Sequence, residues 1–196
     1  LSIEYLNEAA LRQFIDQPVG DSMISFLANA THNIIPCKST LPRTKWPQLI
    51  YTKKNKLPTL NEFITQLVNL SKVKAPTFMS TLVYLNRLKS KLRHNARGQP
   101  WTLYGIFLAA LILSAKNLND ASPKNKQWAD YTRMITDDYR FGFTCVEVNL
   151  MERQLLSMLG WELIITKHDL YRELDFFLNP LRIKLEKHVR CREKQK

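Results

Sequence analysis

The sequence is poor in glycine: five residues in 196, scattered along the chain, so no glycine-rich loop is available to cradle a phosphate. Cysteine is scarcer still. Cys37, Cys145 and Cys191 are odd in number and widely spaced, with no Cys-x-x-Cys and no His pair nearby. They suggest neither a disulfide framework nor a zinc site, and a reducing compartment fits. No apolar run reaches the roughly 20 residues that span a bilayer; the longest unbroken one is Ile106 to Leu113. The first thirty residues carry Glu4, Glu8, Asp16 and Asp21 and lack a basic start followed by an apolar block. No secretory signal is therefore expected, and the chain reads as soluble. Strand-like alternation and internal repeats are missing as well.

Catalytic constellations are equally absent. His32, His94, His168 and His188 lie far apart, and there is no Gly-x-Ser-x-Gly and no cysteine with a partnered base. His168 beside Asp169 reads as a helix-start residue. No intrinsic enzyme activity, no metal and no cofactor are expected.

What the chain does have is apolar residues at helical spacing and positive charge. At 45% hydrophobic and 23% charged residues it can bury one sizeable core, so one main domain with extensions is expected. The net charge of +12 is unevenly laid out. Lys38 to Lys56 and Lys72 to Arg97 contain basic residues and no acidic ones, and Arg182 to Lys196 is strongly basic, which leaves the rest of the chain acidic on balance. Such clusters make a nucleic-acid footprint, a field that attracts acidic protein surfaces, or simply solvated helix faces and a tail.

Helical signals follow one another along the chain. Residues 2 to 15 and 21 to 35 are amphipathic, the second opened by Asp21 as N-cap. Three prolines and a basic bias between Cys37 and Pro58 indicate a linker. Thr59-Leu-Asn-Glu62 is a capping box that starts a helix with Leu60, Phe63, Ile64, Leu67 and Val68 on one face. Pro76 sits in the first turn of the next, whose stripe is Phe78, Leu82, Leu85, Leu88 and Leu92, and Arg87, Lys89, Lys91 and Arg93 gather at its C-terminal end.

The segment from Leu103 to about Leu118 is apolar all round, the mark of a helix enclosed by other helices. Ser122 and Pro123 open a short helix anchored by Trp128, and "ITDDYRFGFTC" is a loop. A helix follows with Val148, Met151, Leu155 and Met158 inward and Gly160 as a left-handed C-cap. A further helix starts at Thr166, with Leu170, Leu174 and Phe177 as its stripe, and stops at Pro180. The last sixteen residues form a basic, frayed helix. The expected architecture is all-α: five helices in 59–165 with the third central, flanked by an N-terminal helical extension and basic linker (1–58) and a C-terminal helical extension and basic tail (166–196).

"LAALILSAKNLND", followed at the right distance by "NLMERQLLSMLGWEL", resembles the cyclin box, the five-helix domain of cyclins. "VKAPTFMSTLVYLNRLKSKL", "LNDASPKNKQWADYT" and "PVGDSMISFLANATHNII" are similar to the fungal PCL cyclins, which partner the phosphate-pathway cyclin-dependent kinase. The resemblance implies a non-catalytic subunit that binds and allosterically activates such a kinase, helps select its substrates and works in nucleus and cytoplasm. Acidic protein substrates or inhibitors are further partners to consider.

In cyclins a lysine near the end of the central helix and a glutamate early in the fifth grip the backbone of the kinase's C-helix. The matching positions are Lys116 and Glu152, with Leu156 and Leu163 at apolar contact positions. An ammonium donates to carbonyls and a carboxylate accepts from amides, so both types suit main chain. Alone, a lysine in a last helical turn is ordinarily a partner for the helix dipole, and an early glutamate likewise. Their joint placement inside a five-helix pattern favours the interface.

The chain also departs from the cell-cycle cyclins. Asn61 and Asn86 stand where an Arg and an Asp would pair, so Leu60, Ile64 and Leu67 are expected to be core rather than a substrate-docking patch. The loop at 135 to 145 looks longer than in the family. The competing reading is a basic helical nucleic-acid-binding transcription factor of the TFIIB type, although such factors carry two repeats and usually a zinc ribbon, which this chain lacks.

Overall fold

A computed structural model describes residues 2–39, 47–52 and 56–193, with side chains to 191. Of the basic linker, Arg43, Lys45, Lys53 and Lys54 lie outside the described residues, as do the last three residues of the tail. The chain divides into two compact units, Val19–Leu163 and Leu1–Pro18 with Ile164–Lys196.

In the larger unit α2 (Asp21–His32), α3 (Leu60–Ser71), α4 (Ala75–Lys91), α5 (Thr102–Leu118), α6 (Asn125–Tyr131) and α7 (Cys145–Leu159) follow in order. Helix α5 is the rod expected to be enclosed: every residue from Phe107 to Ala115 is buried. It packs against α4 and α7 and, less extensively, against α2 and α3, while α6 lies on α3 and α7. Each fully buried Leu, Ile or Phe contributes about 1.5 to 3 kcal/mol, so this rod is the centre of gravity of the fold. Gly105 lets α7 close in, since a Cβ there would meet the Met151 sulfur at 3.1 Å.

Helix boundaries follow local chemistry. The Glu62 amide donates to Thr59 Oγ1 at 3.1 Å and the Thr59 amide to Glu62 Oε2 at 2.6 Å, closing the expected capping box. Helix α7 opens the same way at Thr144 and Glu147 and ends on Gly160 at φ 62°, the left-handed region that glycine enters without penalty. Ile64 and Leu67 are fully buried, as expected of core residues, and Leu60 is half-buried.

Several boundaries differ from the sequence reading. Gly20, not Asp21, caps α2, and the helix ends at His32 rather than at 35; Asp21 instead sits in the first turn, where its charge faces the positive end of the dipole. Helix α6 starts at Asn125 rather than at Pro123, because Gln127 accepts from the Lys124 amide at 2.9 Å and so fixes the turn there. Met158 is 46% exposed, and Leu159 takes the inward position. The 134–141 segment is not plain loop. β1 (Tyr51–Thr52), β2 (Met134–Ile135) and β3 (Tyr139–Phe141) form a small antiparallel sheet in the order β1-β3-β2. Strands of two or three residues are too short for alternation to register. The sheet is pinned by Phe141, whose ring lies 4.8 Å from Tyr104 and 5.5 Å from Phe63.

In the smaller unit α1 (Ile3–Ile15) packs on α9 (Asp175–Glu193), with Phe14 stacked on Phe177 at 5.1 Å. Helix α8 (Lys167–Glu173) is capped by Thr166, with Asp169 accepting the Thr166 amide at 2.9 Å. Asp169 is thus a helix-start residue rather than half of a catalytic pair. Pro180 does not stop the last helix. The break falls at Leu174, and Pro180 lies in the second turn of α9, close enough to the start that it forfeits one intrahelical bond while Leu174 and Leu178 stay buried.

Candidate functional site

Three elements of the larger unit meet at the end of the central rod: the last turn of α5, the middle of α7 and the segment after Gly160. Lys116 Nζ donates to Glu152 Oε1 at 2.6 Å, across two helices. The pair is asymmetric. The lysine side chain is 40% exposed and the glutamate side chain 12%, so the cation faces solvent and the anion lies behind it. An ammonium has three donors, and one is committed to Glu152.

The second carboxylate oxygen of Glu152 is engaged as well. Asn125 Nδ2, at the start of α6, donates to Glu152 Oε2 at 2.6 Å and to Asn149 Oδ1 at 2.7 Å. Asn149 sits one turn before Glu152 on α7 and shares its face. Leu156, one turn further on, is half-buried, as is Leu163.

Leu163 is held to α5 by its carbonyl. Tyr84 Oη donates to Leu163 O at 2.8 Å, and Asn117 Nδ2, next to Lys116, donates to the same oxygen at 3.2 Å and to Tyr84 Oη at 3.0 Å. Burial pushes the Tyr84 hydroxyl above the usual tyrosine range, so it stays a donor. The four predicted positions therefore come together: Lys116 and Glu152 directly, Leu156 along one helix face, Leu163 through Asn117.

The exit from α7 is fixed from another side. Arg87 Nη1 donates to Glu162 O at 2.8 Å, and Lys91 Nζ donates to Leu159 O at 2.7 Å and pairs with Glu162 Oε2 at 3.1 Å. These cations of α4 satisfy the Leu159 carbonyl that α7 leaves open and the Glu162 carbonyl beyond the helix, and they complement the negative end of its dipole. Part of the 72–97 charge cluster is thus engaged inside the protein rather than offered to a polyanion.

Sequence reasoning missed the polar residues that support the pair. Asn125 resembles any helix-start asparagine, and Tyr84 and Asn117 lie on helices α4 and α5 with no motif of their own. Trp161 was also missed. It follows Gly160 in the left-handed region at φ 61° and is 69% exposed, a strained backbone carrying a large indole into solvent; the Gly-Trp step was the available signal. Val146 is exposed on α7 too. Among the described residues no cluster of three His, Cys, Asp or Glu side chains could hold a metal ion, and no helix is long and apolar enough to cross a membrane.

The family model of the cyclin N-terminal domain matches residues 22–164, the span that holds the enclosed α5 and the Lys116–Glu152 pair. The chain belongs to the cyclin family. Among curated proteins it is similar to PHO85 cyclin-1 of Saccharomyces cerevisiae, 41% identical over 175 residues that cover 88% of this chain and 59% of that protein. PHO85 cyclin-9 and PHO85 cyclin-2 of the same yeast are 40% and 38% identical over 176 residues, each covering 90% of this chain and 53% of the relative. The chain thus spans somewhat over half the length of these relatives. None of them lends support to the transcription-factor alternative.

Proposed function

We propose that this chain is the cyclin part of a regulatory subunit that binds and activates a cyclin-dependent protein kinase of the type its relatives are named after, PHO85, and performs no chemistry itself. Lys116 and Glu152 form the polar centre of the interface, and Leu156 and Leu163 the apolar surround. The observation that carries the reading is the 2.6 Å pair between α5 and α7, in a chain 38% to 41% identical to three PHO85 cyclins.

The mechanism is a population shift. A protein kinase is active when its C-helix glutamate pairs with the strand-three lysine and its activation segment is ordered. A rigid helical partner that binds this arrangement better than the inactive one draws the kinase into it. Moving a two-state equilibrium from about 1:99 to 99:1 takes about 5.5 kcal/mol of differential binding. One partly exposed ion pair supplies at most a fraction of that, so apolar contacts such as those proposed for Leu156 and Leu163 must supply the rest.

Acidic protein substrates or inhibitors, attracted by basic residues that are not engaged internally, and a place of action in nucleus and cytoplasm, complete the proposal. The test is direct. Purified PHO85 kinase is assayed for phosphorylation of a generic peptide with and without this chain. Strong stimulation together with co-elution is expected; unchanged activity and separate elution overturn the reading.

A further inference from the structure

The carboxylate of Glu152 has two oxygens, and its orientation decides where Lys116 points. One oxygen takes the ammonium; the other is taken by Asn125, whose single amide group spends both hydrogens, one on Glu152 Oε2 at 2.6 Å and one on Asn149 Oδ1 at 2.7 Å. Both partners are acceptors, so the amide can be oriented only this way round. Its own oxygen then turns inward. Asn125 Oδ1 is buried and has no hydrogen-bond partner among the described residues.

A buried acceptor without a partner is a standing cost to folding. A residue kept only for stability would be replaced to advantage by one lacking that oxygen. What Asn125 gains is geometric: α6 is tied to the two side chains of α7 that flank the lysine, and Glu152 is left with one oxygen and one direction for Lys116.

We propose that Asn125 is a positioning residue of the kinase interface: it locks the Glu152 carboxylate so that the Lys116 ammonium is held outward toward the partner's main-chain carbonyls. The inference rests on the kinase-binding reading above. Asn125 itself touches Glu152 and Asn149, and it acts on Lys116 through Glu152. A preset lysine binds more tightly because less rotamer freedom is lost on association.

The test is a binding cycle with purified PHO85 kinase, using the full chain and the variants Asn125→Ala, Asn125→Asp, Glu152→Ala and Asn125→Ala with Glu152→Ala. Loss of a hydrogen bond to a charged group corresponds to about a tenfold weakening, and Asn125→Ala is expected to weaken binding by about that factor while thermal stability is kept. In the Glu152→Ala background the same change is expected to do nothing further, since its only route is gone. Asn125→Asp, nearly the same shape, is expected to be worse than alanine at pH 8, because it sets two carboxylates against each other. It is expected to recover part of the loss near pH 6, where such a pair shares a proton. A purely structural residue gives neither the coupling nor the pH recovery. Equal losses in both backgrounds, or Asp binding as well as Asn at pH 8, overturn the assignment of Asn125. Absence of binding by the unmodified chain instead overturns the kinase reading, so the two failures are distinct.

Discussion

Lys116 and Glu152 stand 36 residues apart in the sequence and meet at 2.6 Å, with the cation facing solvent and the anion tucked behind it. The pair is therefore a hook with a buried root. Removing the root frees the hook, and removing the hook leaves a mostly buried carboxylate without the cation that faces it.

Lys116→Ala together with Glu152→Ala is expected to abolish co-purification with the kinase and leave the helical circular dichroism unchanged. Both side chains sit at the rim of the core, so the fold survives without them. Retained binding would place the interface elsewhere on the chain.

Trp128→Ala is expected to act on stability alone. The side chain is fully buried, and emptying such a pocket costs about 3 to 5 kcal/mol, a fall in melting temperature on the order of 10 °C. The indole N–H has no hydrogen-bond partner among the described residues, so Trp128→Phe, which removes it and keeps most of the ring volume, should lose far less. Thermal denaturation of both variants decides; equal losses would show that the N–H matters.

The two capping boxes are expected to differ in strength. Glu62 is exposed, whereas Glu147 is buried and receives the Thr144 amide at 2.7 Å and the Gln48 amide at 2.9 Å. Glu147→Ala strands two amides and should cost about 1 to 3 kcal/mol. Glu62→Ala should cost about 1 or less. Chemical denaturation of the two variants tests the order.

Stability is expected to fall in alkali through Tyr104. Burial, then the nearby Glu62 carboxylate, pushes its hydroxyl up to about 12, and the hydroxyl donates to the Pro58 carbonyl. An unfolded tyrosine titrates near 10, so the unfolded chain releases this proton first. The contribution is intact below pH 10 and drains away as pH rises toward 12. Tyr104→Phe should flatten the stability curve in that window, followed by circular dichroism alongside tyrosinate absorbance. An unchanged slope would count against a buried hydroxyl.

Much of this was legible in the residue order. The enclosed rod was evident because nothing polar interrupts Ile106 to Leu113, and Lys116 and Glu152 could be placed because a family pattern supplied what periodicity cannot, a contact between residues distant in sequence. The short sheet was not legible, since its strands are held by Phe141 entering a distant aromatic cluster rather than by any local alternation. Pro180 misled for a related reason: burial of Leu174 and Leu178 outweighs the local rule that proline ends a helix. Asn125 was invisible because an asparagine at a helix start has an ordinary explanation of its own.

The cations that α4 lends to the end of α7 couple the two helices in evolution as well as in space. Each residue inserted before Lys91 would turn its ammonium by about 100° around the helix, away from Leu159 O. A lineage that lengthens one rod must then adjust its neighbour or lose the latch, so indels should be rare in the second half of α4 and gather instead in the connections between helices.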